Sequence, residues 1–203
     1  LTDPNVYSST MKGLRIPTGD GTSWIGGIVP VGNSSAGYHG LLFAWMELYN
    51  VHGDGFIIGE EGESGINVKN LINNLFPDKM KHLLTASLTG ADITWDIVKP
   101  FPYKWKVDWI LCQAVLEHVI DPVAAMKNMS NTLNVGGYLL IHTHGPDMAM
   151  HRYPIDCYRF LPDALPAMAG LAKLSIVDAY WNPIHTLAIY KKENEIVSGE
   201  GND

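Results

Sequence analysis

The chain has 203 residues, of which 46% are hydrophobic and 17% charged, and its formal net charge is −7. The charged fraction lies below the roughly 25% of soluble domains, and the chain is too apolar and too rich in Trp and Tyr to stay disordered. No apolar stretch reaches the ~20 residues that span a bilayer, and the 14 basic residues form no stripe, so a membrane span is excluded and tight binding to nucleic acid through phosphates is disfavoured.

Two cysteines, Cys112 and Cys157, are too few for a disulfide-stapled secreted scaffold. The first residues are polar and lack a basic-then-apolar leader pattern. A cytoplasmic protein is the simpler expectation.

Residues 1–55 are dense in Gly and Ser and read as turns, followed by one apolar helix over 40–49 that Asn50 and Gly53 close. This arm either covers a pocket or seals a sheet edge. From Phe56 to residue 192 the pattern is regular, and 193–203 is a polar tail. Residues 56–58 read as a buried strand. Val68, Leu71, Ile72 and Leu75 recur at helical spacing until Pro77. Residues 82–84 read as a second strand, and the nearly continuous apolar run 107–112 as a third, which suits a parallel sheet covered on both faces. Asp121-Pro122 is a helix start with an apolar stripe of Val123, Met126, Met129 and Leu133, and Gly136-Gly137 is the expected stop. A further strand over 138–141, a helix over 162–172 and two closing strands over 174–179 and 184–190 complete the reading. The connection between the last two is too short for a parallel crossover, so they should pair antiparallel.

Strand–helix alternation of this kind predicts an α/β fold with a mostly parallel sheet. Ligands in such sheets bind at the carboxyl ends of the strands, where strand order reverses. The first such turn is residues 59–65 (GEEGESG). Its glycines allow close approach of a ligand, while its carboxylates would repel a pyrophosphate and welcome a cation.

The segment 59–76 followed by 90–96 (GADITWD) resembles motifs of class I S-adenosylmethionine-dependent methyltransferases, in particular those of the type 11 kind. Residues 108–119 (DWILCQAVLEHV) are similar to that family's segment after the fourth strand, and 134–138 (NVGGY) to the turn before the fifth. His151-Arg152-Tyr153-Pro154 and residues 158–165 (YRFLPDAL) resemble an insert of one bacterial branch. The resemblance covers roughly 56–190 and implies a Rossmann-like seven-stranded sheet with one antiparallel C-terminal strand and helices on both faces. It implies that Glu60, Gly62 and Gly65 line the methionine and ribose part of S-adenosylmethionine, that Asp96 hydrogen-bonds the adenine with Ile97 packed on the ring, and that Gln113 faces the cofactor. Glu117 and His118 would stand between cofactor and substrate, or pin a loop.

Two departures stand out. The acid that the family carries after its second strand, to grip the ribose hydroxyls, is missing from residues 85–89 (TASLT), where Ser87 offers only a neutral hydrogen bond. Glu63-Ser64 also stand where small residues are usual. The same missing acid argues against a nicotinamide dinucleotide.

The polar loop from His142 to Arg159 leaves three readings open. An imidazole of His144, His151 or His118 is the general base of an O-methylation. His142-Thr143-His144 with Asp147 or His151 is a metal site, the less favoured reading because the loop shows no tight second cluster. The histidines pin backbone groups. Tyr158, Arg159, Arg152 and Tyr38 are candidate substrate contacts, although the arginines can equally pair with Asp156 and Asp163. The expected function is methyl transfer to a small-molecule, glycan or metabolite acceptor. The alternatives are a non-catalytic subunit of the same fold and a metal-dependent hydrolase or lyase. The apolar composition and the arm leave room for a homodimer.

Overall fold

The computed structural model describes residues 35–193, with side chains from Gly40 onward. Helix α1 (Ser35–Leu48) leads into β1 (Gly53–Ile58), α2 (Gly62–Leu75), β2 (Met80–Ser87), the short β3 (Ile93–Thr94) and β4 (Val107–Gln113). A single 3-10 turn at Leu116–His118 precedes α3 (Pro122–Thr132), which runs into β5 (Leu133–His144). After a long loop come α4 (Ala164–Leu171), β6 (Ser175–Trp181) and β7 (His185–Lys191).

The seven strands lie in the order β3-β2-β1-β4-β5-β7-β6. All pairs are parallel except those made by β7, which runs antiparallel to both β5 and β6. The chain winds outward from β1 to β3, then returns to β4 on the other side of β1. That reversal opens a crevice at the carboxyl ends of β1 and β4.

Alternation along the strands splits the core into two layers. On one face Phe56, Ile58, Ile110, Cys112, Leu139 and Ile141 pack with Met126 and Met129 of α3 and Leu165 of α4. On the other, Ile57, Trp109, Leu111 and Ile189 pack with Leu42, Trp45 and Met46 of α1 and Ile72 of α2. Each such fully buried apolar side chain contributes roughly 1.5–3 kcal/mol. The expected arm helix therefore covers a sheet face, and residues 1–34 lie outside the described residues.

Several boundaries differ from the sequence reading: the arm helix begins at Ser35 rather than 40, and β5 runs from Leu133 to His144 rather than over 138–141. β1 starts at Gly53 rather than Phe56, because its glycines make room for β4: a Cβ on Gly55 would lie 2.1 Å from the Trp109 ring and one on Gly53 2.1 Å from the Asp108 carboxylate. β2 extends well beyond 82–84 on both sides. The helix that Asp121 caps through its side chain ends at Thr132, not at Gly136-Gly137. Its end is closed from outside, by the buried Lys192 ammonium donating to the carbonyls of Ser130 and Leu133. Gly137 serves the sheet instead, since a Cβ there would lie 2.7 Å from the Asp108 carbonyl.

Candidate functional site

A cavity of about 440 Å³ opens at the strand tips. Ile58 and Gly59 after β1, Ser87 to Thr89 after β2, Trp95 to Ile97 after β3, and Ala114 and Val115 after β4 form its walls. His118 and Val119 close one side, and Arg152, Tyr153 and Pro154 of the long loop close the mouth. Gly59 is required at the floor. Its φ is +94°, and a Cβ would lie 2.3 Å from Val115 Cγ2 and 2.8 Å from the Gln113 carbonyl. Ala114 also has positive φ (49°), a strained conformation for a residue with a side chain.

Glu61 is the residue that sequence reasoning missed. It occupies the N-cap position of α2, yet its side chain makes no cap hydrogen bond. It reaches instead across the cavity wall to the tip of β2. Ser87 Oγ donates to it at 3.3 Å, Thr89 Oγ1 at 3.2 Å, and Tyr153 Oη from the long loop at 2.8 Å. The Tyr153 hydroxyl, then Thr89, hold its carboxyl below the ordinary carboxylate range. A carboxylate therefore stands beside the end of the second strand after all, supplied by the preceding turn. Two glutamates in succession at 60 and 61 were the only sequence signal, and spacing alone does not tell which one turns inward.

The wall after β3 is pinned from several sides. Asp96 accepts from the Val98 amide at 3.3 Å and lies 3.2 Å from Lys99 Nζ, Trp95 Nε1 donates to the Lys99 carbonyl, and Asn128 of α3 donates to the Ile97 carbonyl at 3.0 Å. Ile97 and Trp95 are buried, and Ser87, Asp96 and Ile97 line the cavity. Glu60, Gly62, Gly65 and Gln113 do not line it. Glu60 accepts from the Ser64 hydroxyl. Gly65 lets α2 approach β2, since a Cβ there would lie 2.9 Å from Thr85 Cγ2. Gln113 is buried, with neither amide atom hydrogen-bonded among the described residues.

Beyond His118 lies a second polar centre. Glu117 is fully buried, and Thr143 Oγ1 donates to its Oε2 at 2.7 Å. Its Oε1 is ringed by imidazoles: His144 Nδ1 at 2.8 Å, His118 Nε2 at 3.8 Å and His151 Nε2 at 4.0 Å. Burial pushes the Glu117 carboxyl up, but His144 and Thr143 outweigh it and the net shift is downward. His142, by contrast, turns to His185, at 3.0 Å.

The loop carrying His151 is held by an internal clasp. Arg159 binds Asp156 through both terminal nitrogens, at 2.5 and 2.7 Å, and donates to the carbonyls of Met148, Ala149 and Tyr158. Asp156 also accepts from the His151 amide at 2.6 Å. The Arg159 guanidinium holds the Asp156 carboxyl far below the carboxylate range. Of the two expected partners, Arg159 thus takes Asp156 and not Asp163. Tyr158 donates to the Ile120 carbonyl, and the amides of Cys157 and Tyr158 donate to the Glu117 carbonyl. The side chain of Tyr38 lies outside the described residues.

A methyltransferase-domain family profile matches residues 36–173, well over half of the chain. The chain belongs to this methyltransferase family. The fold is that of solved methyltransferases whose methyl donor is S-adenosylmethionine. No curated protein sequence matches it. Among solved structures it is similar to the N-methyltransferase NodS from Bradyrhizobium japonicum WM9 in complex with S-adenosylhomocysteine, at 16% identity and TM-score 0.56, over 94% of this chain and 100% of that one. It is also similar to the YcgJ protein of Bacillus subtilis, at 13% identity and TM-score 0.58 over 77% of this chain and 100% of that one. A methyltransferase from Clostridium acetobutylicum ATCC 824 matches at 13% identity and TM-score 0.55, over 76% and 90% of the two chains.

The cavity fits that donor. Apolar walls from Trp95, Ile97, Leu88 and Val115 suit a flat heterocycle, and carboxylates at Glu61 and Asp96 suit a ligand that offers hydroxyl and amino hydrogens. No helix among the described residues is long and apolar enough to cross a membrane.

Proposed function

We propose that the enzyme methylates a hydroxyl oxygen of a small-molecule, glycan or metabolite acceptor. The observation that carries this reading is the imidazole–carboxylate centre of Glu117, His118, His144 and His151, joined to the cofactor cavity through His118. S-adenosylmethionine supplies the methyl group as an electrophile. A hydroxyl must lose its proton as it is methylated, and an imidazole oriented by a buried carboxylate is suited to receive it.

In this reading Glu61 takes over from the acid missing after β2. Its carboxylate is ionised and already oriented by Ser87, Thr89 and Tyr153, so it binds ribose hydroxyls with charge-assisted hydrogen bonds. Asp96 receives the adenine amino group and Ile97 packs on the ring. Glu60, Gly62, Gly65 and Gln113 shape the turn and strand tip behind that wall. Arg152 at the mouth is the acceptor-facing arginine, while Arg159 and Tyr158 position the loop. The net charge of −7 favours a small acceptor over nucleic acid. Both cysteines are unpaired thiols, which suits a reducing, cytoplasmic compartment.

The test is incubation with S-adenosylmethionine and panels of hydroxyl-, amine- and thiol-bearing metabolites, with release of S-adenosylhomocysteine as the readout. Turnover confined to hydroxyl acceptors supports the reading. Turnover confined to amines or thiols overturns it.

A further inference from the structure

The turn at Leu116–His118, the end of β5 and the loop at His151 deliver the centre around Glu117. The ligand-type atoms of Glu117, His144 and His151 all lie within 4.8 Å of one another. A buried carboxylate surrounded by nitrogens has two explanations: protons between them, or a cation.

The geometry favours a cation, because the Nε2 atoms of His118 and His151 lie 3.8 and 4.0 Å from Glu117 Oε1, too far for a direct N–H···O bond. His118 Nδ1 lies 2.5 Å from the Ile155 carbonyl, and His151 Nδ1 lies 3.2 Å from the Ala149 carbonyl. A carbonyl oxygen accepts only, so Nδ1 carries the hydrogen in both rings. In the neutral imidazole, Nε2 is then a bare lone pair, and both Nε2 atoms face Glu117 Oε1, itself an acceptor. His144 Nδ1 approaches that oxygen to 2.8 Å but not along a hydrogen-bond direction, and both atoms lack a hydrogen-bond partner among the described residues. Lone pairs converging on one buried oxygen repel unless positive charge sits among them. A second ring N–H donated to a backbone carbonyl is the usual support of a metal-bound histidine, because it fixes the tautomer that leaves the other nitrogen free.

We propose that Glu117 Oε1, His144 Nδ1 and His151 Nε2 form a binding site for a divalent first-row transition ion of the zinc or cobalt class. His118 Nε2 stands beside it on the cavity side. Ligands at the ~2.0–2.2 Å of such ions are spaced about 3–3.5 Å apart around a tetrahedral centre. The separations of 2.8 and 4.0 Å from Glu117 Oε1 bracket that spacing. Two imidazoles and one carboxylate suit such an ion better than magnesium, which prefers oxygen ligands. Three protein ligands leave a coordination position open, and an oxygen donor of the acceptor is the chemical class that fills it. An ion held there would acidify a bound hydroxyl, and the Nε2 of His118, outside the ligand set, would accept its proton. Its occupation of the site does not depend on the proposed acceptor.

The experiment is equilibration of the full chain with Co²⁺ and, separately, Zn²⁺, without methyl donor. The readouts are the visible ligand-field absorption of cobalt, bound metal per chain by elemental analysis, and titration calorimetry for zinc. One ion per chain is expected. Changes in supporting groups alone weaken metal sites 10–100-fold, so His151→Ala, His144→Ala and Glu117→Gln should each weaken binding by at least about 100-fold. His82→Ala, at an exposed histidine far from the cluster, should leave binding intact. Because His151 lies on a partly exposed loop, its variant remains informative where a core substitution unfolds the chain. Absence of stoichiometric uptake, or equal affinity of wild type and His151→Ala, overturns the proposal. Neither result bears on turnover with hydroxyl acceptors, which fails or succeeds in its own assay.

Discussion

The cofactor cavity and the Glu117 centre are neighbours that share His118, yet they are built on opposite plans. The cavity is lined by residues just beyond the tips of adjacent parallel strands, so the sheet itself fixes their spacing. Its carboxylate at Glu61 is reached by three hydroxyls and stays near water. The Glu117 centre is buried at Glu117 and His144, and its His151 is delivered by a long loop that folds back onto β5. Phe160 donates its amide to the His144 carbonyl, and Cys157 donates to the Glu117 carbonyl at 2.7 Å. Damage to the first should therefore read out as ligand affinity, and damage to the second as turnover and loop order.

The largest expected effect tests the cavity floor. Gly59→Val places a branched side chain at φ +94° against Val115 and the Gln113 carbonyl, so the strain of about 1–3 kcal/mol adds to a steric clash. Thermal unfolding should show a large loss of stability together with loss of S-adenosylhomocysteine binding. A variant that binds normally would show that the floor is not built as described.

Next comes the buried centre. Glu117→Gln should lower kcat by on the order of 100-fold, the usual contribution of a positioned acid–base group, while KM for S-adenosylmethionine changes little. A change in that KM alone would merge the two regions into one site. Glu61→Gln should do the reverse: about tenfold weaker S-adenosylhomocysteine binding by calorimetry, with kcat at saturating donor nearly kept. Unchanged affinity would remove Glu61 from the ribose.

The loop clasp sharpens the comparison by pH. Arg159 depresses the folded Asp156 carboxyl far below its unfolded value near 3.9. A depressed carboxylate contributes stability above the unfolded pKa and loses it as pH falls toward the folded one. Asp156→Asn should therefore lower the unfolding midpoint at pH 7, and the gap from wild type should narrow below about pH 4. A gap independent of pH would show that the clasp acts by shape alone. The smallest effect is Asn128→Ala, which removes a single hydrogen bond to the Ile97 carbonyl and should cost about 1 kcal/mol of stability, read by denaturant unfolding.

Much of this was legible in the chain. The apolar run at 107–112 announced a buried parallel strand, because a strand covered on both faces cannot alternate. Asp121-Pro122 announced a helix start that the structure keeps, and the short link between β6 and β7 required the antiparallel pair. Local chemistry dictates each of these within a few residues. The β3 strand is only two residues long and left no periodicity to read. The helix stop at Gly136-Gly137 was misplaced because a distant lysine, Lys192, caps α3 first.

By itself, then, the sequence determined the alternation of strands and helices, the mixed sheet and the glycines at its tips, since hydrophobic period and backbone freedom are local properties. Only the tertiary structure decided that Glu61 rather than Glu60 faces the cavity, and that Glu117, 27 positions before His144 and 34 before His151, shares a pocket with both. Side-chain direction and long-range closure depend on which elements pack together, and pairs of identical or widely separated residues carry no local record of that choice.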